Sequence, residues 1–179
     1  MSKNIVYFDL ETQKSAQEVG GWGNIADMKM SIGVTYSTTR QTYRIYTEKE
    51  IQELIEELQR ADLVVGFNVI RFDFEVLRPY AIFDFSQVPT LDMMVSLEKM
   101  IGHRLKLDSV LEASCGVNKT AVGTEALKWW KEGKIREIAE YCCYDVKATK
   151  WVHEFGAINK KVLYENSRTK LKESIAVNW

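Results

Sequence analysis

Apolar positions along the chain change spacing from consecutive to helical and back, and those changes mark out the elements. Ile5-Val6-Tyr7-Phe8-Asp9-Leu10 is apolar at nearly every position, the pattern of a central strand covered on both faces, with one acid inside it. Residues 12–27 are polar and contain Gly20, Gly21 and Gly23, which predicts a loop. Met30 to Tyr36 and Thr42 to Tyr46 read as a strand pair joined by Ser37-Thr38-Thr39-Arg40-Gln41. Thr47 then opens a helix with a capping-box pattern completed by Glu50, and Ile51, Leu54, Ile55 and Leu58 give it an apolar face. Leu63-Val64-Val65-Gly66-Phe67 predicts another buried strand, followed by a turn at Asn68 and a helix from about Asp73 to Tyr80.

Further on, Pro89-Thr90-Leu91-Asp92 has the look of a short strand end. Asp108 or Ser109 suits the cap of a helix carrying Val110, Leu111 and Ala113, which Gly116 closes. Thr124 to Lys131 and Ile135 to Phe155 predict two helices hinged near Gly133. Val162-Leu163-Tyr164, a polar turn over Glu165 to Lys170, and Leu171 to Val177 predict a C-terminal hairpin within residues 160–179. This order predicts an α/β fold with an open mixed sheet, because the early strands are joined too closely for parallel crossovers. No G-x-G-x-x-G or P-loop follows the first strand, so a nucleotide-binding doubly wound fold is excluded.

Composition alters this picture little. A length of 179 residues suits one domain spanning 1–179. The net charge of −1 does not advertise nucleic-acid binding, although clustered acids would lower the sum without describing the rest of the surface. No apolar run is long enough to span a bilayer and the first residues carry no signal-peptide pattern, so the expected location is the cytoplasm, with no membrane partner. Cys115, Cys142 and Cys143 form neither a disulfide framework nor a zinc spacing.

The candidate chemistry sits in three short stretches. Asp9 and Glu11 lie two apart on a strand and therefore on one face, where unpartnered carboxylates are expensive to bury. Their bland alternative is a solvated strand end. Asp73 opens a helix, where an acid also serves the helix dipole. Tyr141 and Asp145 are four apart on a helix and share a face; the bland alternative is a partly buried tyrosine whose hydroxyl is satisfied by solvent, with Asp145 on an exposed face. Four acids converging from separate elements would supply the hard oxygen donors of a two-metal site, the kind that cuts phosphodiesters. Asp92 and Asp108 fit helix caps better than metal sites, and His103 and His153 lack partners at ligand spacing. Trp129 and Trp130, among Lys128, Lys131 and Lys134, are candidates for base stacking, but one of two adjacent helical tryptophans ordinarily faces the core.

Taken together, Asp9-Leu10-Glu11, Asn68-Val69-Ile70-Arg71-Phe72-Asp73 and Tyr141-Cys142-Cys143-Tyr144-Asp145 resemble the D-x-E, N-x3-F-D and Y-x3-D motifs of the DnaQ-like 3′–5′ exonucleases, the DEDD group of the ribonuclease H-like superfamily. The tyrosine matches the tyrosine subclass. The resemblance runs from Ile5 to about Gly156, and the ending Ala176-Val177-Asn178-Trp179 is similar, more loosely, to compact bacterial domains of the YprB type. It implies a ribonuclease H-like mixed sheet of about five strands flanked by helices. It also implies two Mg²⁺ ions, with Mn²⁺ as a substitute, held by Asp9, Glu11, Asp73 and Asp145, with Tyr141 orienting the attacking water. Leu10, Thr12, Asn68 and Phe72 become candidate substrate contacts. The implied activity is 3′–5′ hydrolysis of single-stranded nucleic acid, DNA before RNA, releasing nucleoside 5′-monophosphates. The implied partner is a nucleic acid with a free 3′ end, alongside a helicase or similar processing protein. An RNase H-type endonuclease and a non-catalytic binding module stay open as alternatives.

Overall fold

The computed structural model describes residues 3–117, 124–166 and 168–179. Its core is a five-stranded sheet in the order β3-β2-β1-β4-β5, built from β1 (Ile5–Thr12), β2 (Met30–Ser37), β3 (Thr42–Thr47), β4 (Leu63–Gly66) and β5 (Thr90–Asp92). The chain makes β1, β2 and β3 an antiparallel meander, while β4 and β5 run parallel to β1. Connection length explains the split. A few residues turn β2 into β3, whereas β3 reaches β4 only after the helix α1 (Ile51–Arg60). The expected mixed sheet of about five strands is present.

Strand alternation gives β1 two different faces. Val6, Phe8 and Leu10 pack with Leu54, Ile55, Leu58 and Val64 in a core on the α1 side. Tyr7 joins Ile32, Val34 and Val65 in a second core on the opposite side, closed by Ile138, Cys142, Val146 and Val152. Those four residues come from a 25-residue helix that lies across the sheet (Ile135–Asn159). Asp9 and Glu11 continue the face of Tyr7: their partners across β2 are Val34 and Ile32. The register of one strand therefore aims both acids at the long helix.

The remaining elements frame that arrangement. After β4 come α2 (Asp73–Leu77) and a 3-10 turn, Arg78–Tyr80, matching the expected helix. Gly66 ends β4 where the chain must pass close to itself; a Cβ there would lie 2.1 Å from Val69 Cγ1. The helices α3 (Met93–Ile101), α4 (Leu107–Cys115) and α5 (Thr124–Lys131) precede α6, the long helix over Ile135–Asn159, and Gly133 between α5 and α6 has a φ of 70°. Two strands, β6 (Lys161–Glu165) and β7 (Lys172–Ala176), pair as the expected C-terminal hairpin.

Several elements differ from the pattern of the sequence, and the long helix runs to Asn159, past the expected Phe155. The helix α4 begins at Leu107 with Lys106 in the cap position, so Asp108 and Ser109 lie inside its first turn and neither caps it. Leu105 and Leu107 pack on the α6-side core, and that burial sets the start in place of a capping side chain. The helix α3 was signalled only by its cap, Asp92, and is closed by Gly102 in the left-handed region at φ 80°. The loop after β1 contains a 3-10 segment over Trp22–Asp27. Among the described residues no helix is long and apolar enough to cross a membrane.

Candidate active site

Asp9 and Glu11 from β1 meet Asp145 from α6, and one carboxylate oxygen from each lies within 4.8 Å of the other two. Two periodicities produce this trio: the two-residue repeat of the strand and the register of α6 over it. A thiol locks the register. Cys142, one turn before Asp145, is buried and its Sγ–H contacts the Asp9 carbonyl at 3.4 Å and Asp9 Oδ2 at 3.6 Å. Burial, with Asp9 beside it, pushes this thiol well above its ordinary range, so it serves as a donor and not as a thiolate.

Asp73 stands beside the trio and is 2% exposed. Its Oδ1 accepts the Leu10 N–H at 3.0 Å, which ties the start of α2 to the strand between Asp9 and Glu11. Burial pushes the Asp73 carboxyl up, against the pull of that hydrogen bond, and Asp92 and Asp145 raise it further. Asp9 is likewise held well above the usual carboxylate range, first by burial and then by the charges of Asp73, Asp145 and Glu11. Four acids crowded this closely repel one another unless protons or cations neutralise them. Their donors are all hard oxygens, which fits a divalent ion such as Mg²⁺.

Tyr141 lies one helical turn before Asp145, is buried, and meets Trp129 of α5 edge-on at 6.1 Å between ring centroids. The tryptophan thereby limits how the phenol ring can turn. Trp129 and Trp130 both pack partly against the α6-side core, where one of the adjacent pair was expected. The lysines beside them are engaged: Lys131 pairs with Glu18 at 2.7 Å and Lys134 with Glu132 at 2.7 Å.

The four candidate substrate contacts fall in different settings. The Leu10 side chain is in the α1-side core, so only its backbone faces the acids. Thr12 is buried and its hydroxyl donates to the Lys14 carbonyl at 3.0 Å. Asn68 adopts a φ of 73°, and its Oδ1 accepts from Arg104 Nη2 at 2.7 Å. Phe72 is half-buried and its ring lies 6.4 Å from that of Trp22.

Two residues that matter to this geometry carry no motif. Asp92 does cap α3 by accepting from the Val95 N–H at 3.2 Å, but it also accepts the N–H groups of Asn68 at 2.8 Å and Ile70 at 3.0 Å. One buried carboxylate thus fixes the turn that delivers Asp73. His153 has a partner on the sheet, the Tyr7 hydroxyl, at 2.8 Å from Nδ1, as a satisfied core histidine should.

A protein-family model for the RNase H superfamily matches residues 6–155, a span that contains every acid described above. No curated protein matches the chain.

Proposed function

The chain belongs to the RNase H superfamily, and from that membership and the acid geometry we propose that it is a metal-dependent exonuclease acting from the 3′ end of single-stranded nucleic acid, DNA before RNA. The observation that carries the reading is the meeting of Asp9, Glu11 and Asp145 within 4.8 Å, with the buried Asp73 bonded to the same strand. Two Mg²⁺ ions bound by these four acids, or Mn²⁺ in their place, would supply the Lewis acidity that stabilises the attacking and leaving oxygens of an in-line displacement.

The chain's own groups do the rest. Tyr141 orients the attacking water from one turn before Asp145, and Trp129 keeps the phenol in place. The water gives up a proton to solvent as its oxygen bonds to the terminal phosphorus and the bond to the preceding 3′ oxygen breaks. That oxygen takes a proton from solvent, so the products are a nucleoside 5′-monophosphate and a strand with a new 3′ hydroxyl. A tyrosine four residues before Asp145, as in the exonuclease motif this stretch resembles, favours removal of terminal nucleotides over the internal cutting of an RNase H-type endonuclease.

Asp9→Ala and Asp145→Ala are expected to lose turnover of a 5′-labelled oligonucleotide while keeping the native far-UV circular dichroism spectrum. Full activity in either purified variant would refute the assignment. Internal cutting of a strand whose 3′ end is blocked would make the enzyme an endonuclease instead.

A further inference from the structure

The turn over residues 68–72 leads directly into Asp73, and two groups outside every motif stand at its ends. At one end, Trp22 leaves 71% of its surface in water while its ring leans on Phe72 at 6.4 Å. The segment that presents it is well tied. Gly21 N–H bonds the Ala16 carbonyl at 2.7 Å, Asn24 donates to the Val19 carbonyl at 2.7 Å, and Glu18 bonds Ser15 and pairs with Lys131 of α5. A large aromatic ring held on an ordered support, with its surface uncovered, is a platform waiting for a flat partner.

At the other end, Arg104 in the α3–α4 connection is exposed and donates from Nη2 to Asn68 Oδ1 at 2.7 Å and from Nε to the Met94 sulfur at 3.4 Å. Both partners are neutral, and among the described residues no carboxylate pairs with it. Arg71, on the same turn, is by contrast paired with Glu98. Arg104 therefore keeps its whole charge and several N–H donors, a set that matches a phosphate. The span between the two ends is rigid: Phe72 N–H closes on the Asn68 carbonyl at 3.1 Å, and Asp92 holds Asn68 and Ile70 from beneath.

We propose that Trp22 and Arg104 form a lip that grips a single strand next to the acids, Trp22 stacking on an unpaired base and Arg104 binding a backbone phosphate. This rests on the nuclease reading, which already names a single strand, and assigns the residues that hold that strand beside the acids. A base inside a duplex has both faces covered by its neighbours, and the last pair of a blunt end is held to its complement, so an unpaired base of a single-stranded or frayed end is the one free to turn onto Trp22. Stacking on an aromatic ring tolerates every base, so the lip selects strandedness and not sequence.

The test is fluorescence anisotropy with a fluorescein-labelled single-stranded oligonucleotide, using Ca²⁺ in place of Mg²⁺ so that the strand survives. Trp22→Ala and Arg104→Ala should each weaken binding about tenfold, and Trp22→Phe should recover most of the loss. Arg104→Ala should also flatten the slope of log affinity against log salt by about 0.7, the share of one single-strand phosphate, while Trp22→Ala leaves the slope alone. Arg60→Ala, at the exposed C-terminal end of α1 where the arginine pairs with Glu56, serves as the control. Unchanged affinity in both lip variants, or equal losses for blunt duplex and single strand, would overturn the lip and leave the nuclease reading standing. The reverse pattern, with the binding losses as stated but no Mg²⁺-dependent cleavage by the wild-type protein, would support the lip and remove the nuclease reading.

Discussion

Asp9 sits where three other carboxylates converge, and its ionisation links function to stability. In an unfolded chain an aspartate titrates near pH 3.9. In the folded protein, burial and the charges of Asp73, Asp145 and Glu11 hold the Asp9 carboxyl well above that. Between the two values the folded chain keeps a proton that the unfolded chain has released. Stability accordingly falls as pH rises through that window, and above it the penalty is fully present. Asp9→Asn removes the charge without changing shape, so the metal-free variant should be more stable than the wild type at pH 7.5. A gain of about 1 kcal/mol would raise Tm by about 2–4 °C for a chain of this size. Mg²⁺ should raise the wild-type Tm, since a ligand of the folded state stabilises it, but should hardly move that of Asp9→Asn. Thermal melts with and without Mg²⁺ decide this; an equal Mg²⁺ response in both proteins would take Asp9 out of the metal site. The pairing of Asp9 with Glu11 was legible in the sequence because a strand's two-residue period fixes the face. The role of Cys142 was not, because its partner is the backbone of Asp9, 133 residues away.

At the level of elements, the 68–72 turn shows where local pattern stops informing. The sequence marked Asp92 as suited to a helix cap, and its bond to Val95 N–H agrees. Its two bonds to Asn68 and Ile70 span 24 and 22 residues, and no local periodicity encodes such a distance. The start of α4 failed for the related reason that burial of Leu105 and Leu107 decided it, while Asp108 and Ser109 carried the stronger local signal. Because Asp92 accepts three backbone N–H groups, Asp92→Ala leaves three donors without their acceptor. The loss should be about 3 kcal/mol or more, given 1–3 kcal/mol for each buried unsatisfied group and partial rescue by water. Urea denaturation measures that directly. The turn also positions Asp73, so kcat should fall in the same variant under conditions where it is still fully folded. Asp92→Asn keeps an acceptor oxygen and should recover part of both losses. A variant that loses stability but keeps wild-type kcat would reduce Asp92 to a cap.

Across the whole molecule, the sheet separates two apolar cores, and the acids lie where β1 passes from beneath α6. The mixed character of the sheet was legible from the lengths of the connections, since hairpin-length links demand antiparallel neighbours and helix-length links permit parallel ones, but the order of its strands was not. What the hairpin β6–β7 does was less legible, because alternating polar and apolar residues fit an appendage as well as a lid. Val162, Tyr164, Ile175 and Val177 are buried in the α6-side core, and the Ser114 hydroxyl both accepts from Leu163 N–H at 2.8 Å and donates to its carbonyl at 3.1 Å. Trp179 then lies over Gly156 of α6, where a Cβ would come within 2.2 Å of the indole nitrogen. These contacts brace the same helix that carries Tyr141 and Asp145, three to four turns upstream. Ile175→Ala should therefore destabilise the protein by about 2–5 kcal/mol, the range for truncating a buried isoleucine, and not by the near-zero amount expected of a surface strand. Its denaturation should remain a single transition, whether followed by tryptophan fluorescence or by far-UV circular dichroism, if hairpin and sheet unfold together. An early transition confined to fluorescence, with Mg²⁺-dependent activity surviving it, would show instead that the hairpin is dispensable and that the sheet alone holds α6 over the acids.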